Sequence, residues 1–322
     1  MQIFWFKDSK IGHLKQVNAL LNELKKEIKF TLVPIECDKN QGIQDDEDTA
    51  LYLSGLDETI MLIGAGHSTY PEILKLQKRL KTKCKGRLIS VAILRPSKNL
   101  KLFNLIYAPQ HDFNEKEIPD NVTTFQGSLA SPSYLKPDAN KGMIAIGGSS
   151  RHYKFDPETL MAQLHYILCM HQNYDFKIFN SRRTPEIVNQ KIQKEFLEYK
   201  NANFVDYRNE SSESLQSRLE DSTLKFVTPD SSNLVFESLS TIGKTYLIQV
   251  ERPGYKRWFG TKKIRSSMNE LASSKRVGLV SVIAKKVGVN ISSITNPSLG
   301  LEPLAEVEKV AFSLIKAIKS YS

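Results

Sequence analysis

Short apolar runs alternate with amphipathic stretches along most of the chain. Runs of strand length are "IFWF" (3–6), "FTLVPI" (30–35), "TIMLIGAG" (59–66), "LISVAIL" (88–94) and "NLIYAP" (104–109). Between the first two, Leu14, Val17, Leu20, Leu21 and Leu24 recur at spacings of three and four, which predicts a helix over 13–27. Strand, helix, strand in series predicts parallel βαβ units. The stretch "GSLASPSYLKPDANKG" (127–142) breaks the rhythm with Ser, Pro, Gly and Asn and reads as a linker. Alternation then resumes: "MIAIGG" (143–148), a helix near 157–171, "FKIFNS" (176–181), a helix near 185–199, "NFVDY" (203–207), a helix near 212–220, "LKFVTP" (224–229), a short helix, and "TYLIQV" (245–250). A closing helix near 303–319 carries Leu304, Val307, Val310, Ala311, Leu314, Ile315 and Ile318 on one stripe. The pattern predicts an α/β fold with two Rossmann-like domains, 1–135 and 142–302, whose parallel sheets face a cleft, and a terminal segment 303–322. In such sheets ligands bind beyond the carboxyl ends of the strands.

Composition agrees and narrows the partners. With 322 residues the chain exceeds one ordinary core, and 40% apolar with 25% charged residues describe a globular protein. No apolar run approaches the roughly 20 residues of a membrane span. The start, "MQIFWFKDSK", does not read as a signal peptide. Cys37, Cys84 and Cys169 are far apart and form no metal-binding spacing, which fits a reduced, cytoplasmic compartment. A net charge of +10 favours an anionic partner. No nucleic-acid-binding signature is present, so no nucleic-acid partner is expected.

The chemistry-bearing residues fall just after the apolar runs. After "IFWF", Gly12 gives backbone access and His13 is a candidate base with Asp8 as its orienting partner or alternative; the plainer alternative is that Asp8 and Ser9 turn the chain and cap the helix. After "TIMLI", Gly66 with His67 and Ser68 precedes a helix N-terminus suited to an anion or a sugar hydroxyl. After "LIYAP" come His111 and Asp112, a hydrogen-bonded loop corner or an acceptor contact. Gly147, Gly148, Ser149 and Ser150 read as a phosphate nest with outward-facing amides, supported by Arg151 and Lys154. Arg182 and Arg183 form an anion trap ahead of Thr184, a candidate cap, and Pro185. Ser231 and Ser232 open a short helix whose free amides attract a diphosphate, and Glu237, inside the apolar "LVFESL", can accept two ribose hydroxyl protons. Asp230, Ser231 and Ser232 are also ordinary N-cap candidates.

Seven segments occur in one order: "KDSKIGHLKQ", "IGAGHST", "APQHD", "NVTTFQGSL", "IGGSSRHY", "NSRRTPE" and "VTPDSSNLVFESLSTIGK". Together they resemble the mitochondrial fission ELM-type family, whose bacterial members are described as candidate glycosyltransferases and whose plant members act as adaptors in organelle division. That family is similar in layout to GT-B glycosyltransferases such as lipid-A-disaccharide synthase. The resemblance implies a donor nucleotide sugar in the C-terminal domain, an acceptor in the N-terminal one, and a last helix returning to the first domain. It implies that Gly12 and His13 belong to the acceptor loop and that Ser231, Ser232 and Glu237 form the diphosphate and ribose turn. His67 stands where the family often has Arg, and Ser232–Asn233 where it often has Ser-Met, so the acceptor side is expected to differ.

The expected activity is therefore glycosyl transfer from a nucleotide-diphosphate sugar, with a nucleotide-sugar epimerase or hydrolase, or a non-catalytic adaptor, as alternatives. No cofactor or metal is expected, because cationic side chains can stabilise the leaving diphosphate. The acidic run "DDED" (45–48) reads as a solvated loop, and His165 with Cys169 as packing. The stretch "ERPGYKRWFGTKKIR" (251–265) interleaves cations with Tyr255, Trp258 and Phe259, which suits peripheral contact with an anionic membrane and a glycolipid or lipopolysaccharide acceptor, or else a basic surface loop.

Overall fold

The structure is a computed structural model that describes residues 1–37, 58–81, 86–113, 118–150, 153–209, 212–250, 262–286, 289–298 and 301–320. The chain divides into two compact units, Met1–Ser131 with Ala305–Ser322, and Pro132–Leu304.

The first unit is built on β1 (Gln2–Lys7), β2 (Thr31–Glu36), β3 (Ile60–Ala65), β4 (Leu88–Ile93), β5 (Leu105–Pro109) and β6 (Val122–Phe125). They form one sheet in the order β2-β1-β3-β4-β5-β6, with every pair parallel. All six residues of β3 are buried, as a central parallel strand covered on both faces requires. Pro34 sits in β2, an edge strand, where its missing N–H costs least. Helix α1 (Ile11–Glu27) and helix α2 (Thr69–Leu80) cover the sheet. Val17, Leu20, Leu21 and Leu24 of α1 share one core with Ile3, Met61, Val91 and, from the chain's end, Val307, Val310, Leu314 and Ile315.

The second unit holds β7 (Asp138–Ala145), α3 (Pro157–Met170), β8 (Asp175–Phe179), α4 (Glu186–Glu195), β9 (Ala202–Val205), α5 (Ser212–Asp221), β10 (Ser222–Val227), α6 (Ser232–Leu239), β11 (Lys244–Ile248), α7 (Lys262–Ser273), β12 (Gly278–Lys286) and β13 (Val289–Thr295). Its sheet order is β13-β12-β11-β10-β7-β8-β9, parallel except for the antiparallel pair β12–β13. Both units are thus Rossmann-like. In each, the strand order reverses at one point, between β1 and β3 in the first unit and between β7 and β10 in the second. Such a reversal leaves a crevice at the carboxyl ends of the two strands.

The division between the units, Ser131/Pro132, falls inside the expected linker 127–142, but the ends of that stretch are ordered parts of the two units. Asp138–Ala145 is strand, and Leu129 and Ala130 are buried, so tertiary packing overrides the Ser/Pro/Gly composition of 127–142. The last helix, α8 (Glu306–Ser320), starts later than its stripe predicts. Leu304 belongs to the second unit, where its N–H donates to the Leu239 carbonyl (2.7 Å). Strands β6, β12 and β13 and helix α7 were not expected from the pattern. The run 45–48, Arg151, Cys84 and most of 251–265 lie outside the described residues.

Candidate functional site

At the reversal of the first sheet, Asp8 follows β1 and His13 lies in the first turn of α1. His13 Nδ1 and Asp8 Oδ2 are 2.7 Å apart, and the Lys10 N–H donates to Asp8 Oδ1 (3.1 Å). The Asp8 side chain is 7% exposed and that of His13 20%. An ionised carboxylate only accepts, so the shared proton belongs to Nδ1 and the lone pair to Nε2. Asp8 thus orients the ring, and no side chain caps α1. Gly66, after β3, closes the corner. Its φ is +98°, and a Cβ there would stand 2.4 Å from His13 Nδ1 and 2.6 Å from an Asp8 oxygen. Only glycine lets the β3 turn approach the pair. Gly12 lies in α1 beside His13. His67 is exposed, with its ring edge-on to Tyr70. His111 and Asp112 follow β5, two strands from β3, and the Asp112 carbonyl accepts from Arg95 (2.6 Å). The structure therefore groups Asp8, His13 and Gly66, and the charges of Asp8 and Asp112 both act on the Tyr70 hydroxyl.

At the reversal of the second sheet the expectation of an outward-facing phosphate nest fails. The Gly147 N–H donates to Thr228 Oγ1 (2.8 Å), the Gly148 N–H to Asp230 Oδ2 (2.9 Å) and the Ser150 N–H to the Tyr153 carbonyl (2.9 Å). The two glycine amides are engaged because β10 lies beside β7 and its end loop fills the crook, and the Ser150 amide is engaged within its own loop. Ser149 is exposed, and Ser150 Oγ accepts from the Tyr153 N–H. A Cβ on Gly147 would lie 2.2 Å from the Asp230 carboxylate, and one on Gly148 1.8 Å from the Arg183 carbonyl oxygen. The two glycines are needed for close approach of three strand ends.

Arg183 donates from Nη2 to Asp230 Oδ2 (2.9 Å); its side chain is 47% exposed and that of Asp230 fully buried. Burial pushes the Asp230 pKa up, against the pull of Thr228, Gly148 and Arg183. Arg182 is exposed at the same loop tip. Thr184 does not cap α4: its hydroxyl donates to the Gly147 carbonyl (2.5 Å), tying β8's end to β7's. Nor is α6 capped. Ser231 stands at its N-cap position without a side-chain cap hydrogen bond, and the carboxylate of the preceding Asp230 is turned toward Gly148 and Arg183. Ser232 opens the helix. Glu237 is half-buried rather than sunk in the core, on a helix whose Val235, Phe236 and Leu239 are buried.

Asp230 and Thr228 are the residues that sequence reasoning missed as site components. The signal was available: Gly-Gly after the first strand of a Rossmann order faces the loop after the fourth. Nearby, a cavity of about 790 Å³ is lined by Pro229, Gln249, Val250, Met268, Asn269 and Ser281, among others. Among the described residues no cluster of His, Cys, Asp or Glu is arranged to hold a metal ion. His165 is held by Tyr199 (2.8 Å) and Glu195 (3.0 Å), joining α3 to α4. Among the described residues no helix is long and apolar enough to cross a membrane.

Residues 11–318 match the family model described as mitochondrial fission ELM1. No curated protein matches the chain. Solved structures share its fold. A UDP-GlcNAc 2-epimerase from Neisseria meningitidis bound to UDP-GlcNAc has a TM-score of 0.51 at 12% identity, covering 98% of this chain and 100% of that one. A UDP-N-acetylglucosamine 2-epimerase gives 0.53 at 13%, covering 100% and 96%. The UDP-GlcNAc 2-epimerase of Methanocaldococcus jannaschii gives 0.50 at 9%, covering 98% and 100%.

Proposed function

The chain belongs to the mitochondrial fission ELM1 family, and we propose that it is a nucleotide-sugar enzyme, specifically a glycosyltransferase. The observation that carries this reading is the uncapped N-terminus of α6 beside Arg183 at the strand reversal of the second unit. Free helical N–H groups and a guanidinium fork suit the two negative charges of a diphosphate. In this reading Arg182, Arg183, Ser231 and Ser232 bind the diphosphate, Glu237 accepts from the ribose hydroxyls, and the cavity beside Pro229 has room for a sugar ring. The acceptor hydroxyl attacks the anomeric carbon. The bond from that carbon to the diphosphate oxygen breaks, and the nucleoside diphosphate leaves with the electron pair. His13 Nε2 takes the acceptor's proton, and Asp8 stabilises the imidazolium that forms. The oriented His13–Asp8 pair supports that assignment. Donor charge is met by arginines and amides, without a cofactor or metal. The aromatic and basic stretch 251–265 supports an anionic glycolipid acceptor at a membrane surface.

A thermal-shift panel of UDP-, GDP-, ADP- and CMP-sugars tests this. A donor at 100 times its dissociation constant should add about 2.7 kcal/mol of stability. No shift with any of them would sink the nucleotide-sugar reading. The second reading, an epimerase, is favoured by the names of the solved structures that share the fold. Incubation with UDP-GlcNAc alone separates the two: conversion to an epimer without an acceptor supports the epimerase.

A further inference from the structure

The most buried charge at the second unit's strand reversal is negative. Asp230 Oδ2 accepts from the Gly148 N–H (2.9 Å) and from Arg183 Nη2 (2.9 Å), and Oδ1 accepts from the Thr228 hydroxyl (2.7 Å). Thr228 Oγ1 in turn accepts from the Gly147 N–H (2.8 Å). One strand-end amide, a hydroxyl and a guanidinium converge on one carboxylate with no side-chain exposure, and a second amide holds the hydroxyl. This is the donor set of an anion hole, and the protein's own anion fills it. The arrangement is costly for an ionised group unless every partner stays.

We propose that Asp230 is a resident anion: a diphosphate entering this site takes over Arg183 and the Gly148 amide, and the displaced carboxylate takes up a proton from solvent. The inference rests on the nucleotide-sugar reading and adds to it a coupling between binding and protonation. The physical reason is local charge. Arg183, from the loop after β8, is the charged group that faces the carboxylate among the described residues; the loop after β7 presents the Gly148 amide and the loop after β10 the Thr228 hydroxyl. With Arg183 turned to the ligand, an ionised Asp230 would be buried without a counter-charge and next to a second anion. Burial already favours its neutral form.

The test measures UDP-GlcNAc affinity by calorimetry in two buffers of different ionisation enthalpy, for the full chain and for Asp230→Asn. The diphosphate of this probe is esterified at both ends, so the probe itself does not titrate across the range used. The wild type should bind with net proton uptake, its affinity rising by up to about tenfold per unit as pH falls from about 8.5 to about 6. Asp230→Asn should bind at least about tenfold more tightly than wild type near pH 8, without proton uptake. Asp230→Ser, which removes the carboxylate and leaves space, should show the same loss of pH dependence, and thermal denaturation reports whether each variant is folded. A wild-type affinity that is flat with pH overturns the proposal and leaves the nucleotide-sugar reading standing. So does a pH dependence that survives in both variants, or folded variants that bind more than about tenfold more weakly, which would make Asp230 a scaffold. Failure of the wild type and both variants to bind any nucleotide sugar overturns the nucleotide-sugar reading, and this inference with it.

Discussion

His13 and His171 show how neighbours decide what an imidazole does. His13 has one nitrogen held by Asp8 at 2.7 Å and a ring that still reaches solvent. His13→Ala should lower kcat by roughly 10²–10⁴-fold with little change in donor affinity. Asp8→Asn should lose activity too, because an amide can donate to Nδ1 and reverse the tautomer. Steady-state kinetics with donor and acceptor would decide, and an unimpaired His13→Ala enzyme would remove His13 from the chemistry. His171 is the opposite case. Its Nε2 is buried without a partner, and its ring lies among Tyr174, Phe176 and Phe226. Burial, with Lys244 nearby, pushes its pKa down. On acidification the unfolded chain binds that proton first. The stability associated with the neutral ring is therefore full above about pH 6.5 and is lost as pH falls below it. Urea denaturation between about pH 7.5 and about pH 5 should show a steeper loss for wild type than for His171→Phe, and parallel curves would contradict this.

Helix α6 shows the same economy at the scale of an element. Its N-terminus is left uncapped, while its C-terminal end is tied down by a buried lysine. Lys225, on β10, is fully buried, and its Nζ donates to the carbonyls of Ser238 (2.7 Å), Thr241 (2.9 Å) and Ile242 (3.0 Å). Burial, together with nearby Arg276, pushes its pKa down to about 7. A positive charge at a helix C-terminus opposes the dipole's negative end. Lys225→Met would take this donor from the Thr241 and Ile242 carbonyls in a dry interior, while the Ser238 carbonyl keeps the Thr241 hydroxyl (3.1 Å), at a cost of about 3 kcal/mol. The urea midpoint measures that loss. Because α6 would lose its tether, nucleotide-sugar affinity should weaken as well, and an unchanged affinity would mean that β10 and β11 alone place the helix.

The whole molecule is two Rossmann-like units, the first completed by the last helix of the chain. Val307, Val310, Leu314 and Ile315 are buried against α1, and Tyr107 reaches Ser313 (3.3 Å). Burying each aliphatic side chain contributes about 1.5–3 kcal/mol, which for four of them rivals the total stability of a domain, about 5–15 kcal/mol. A chain ending at Leu304 should therefore lose the calorimetric transition of the first unit and keep that of the second. Two intact transitions would show that α8 is dispensable.

The sequence by itself determined most of the elements and the class of fold. Period-two and period-3.6 patterns are local, so "TIMLIGAG" and the stripe of α1 could be read without any partner. It also placed His13, Arg183 and Ser231 at the ends of strands, since chain order alone puts them there. It did not determine β12 and β13, whose short mixed runs become strands through pairing with β11 and with each other. Nor did it reveal that Asp230 leaves the helix cap for Gly148 and Arg183. That choice depends on β10 lying beside β7 across some 80 residues of chain. Hydrogen bonds between loops so distant in sequence leave no periodic trace, and only the strand order brings their donors and acceptors within reach of one another.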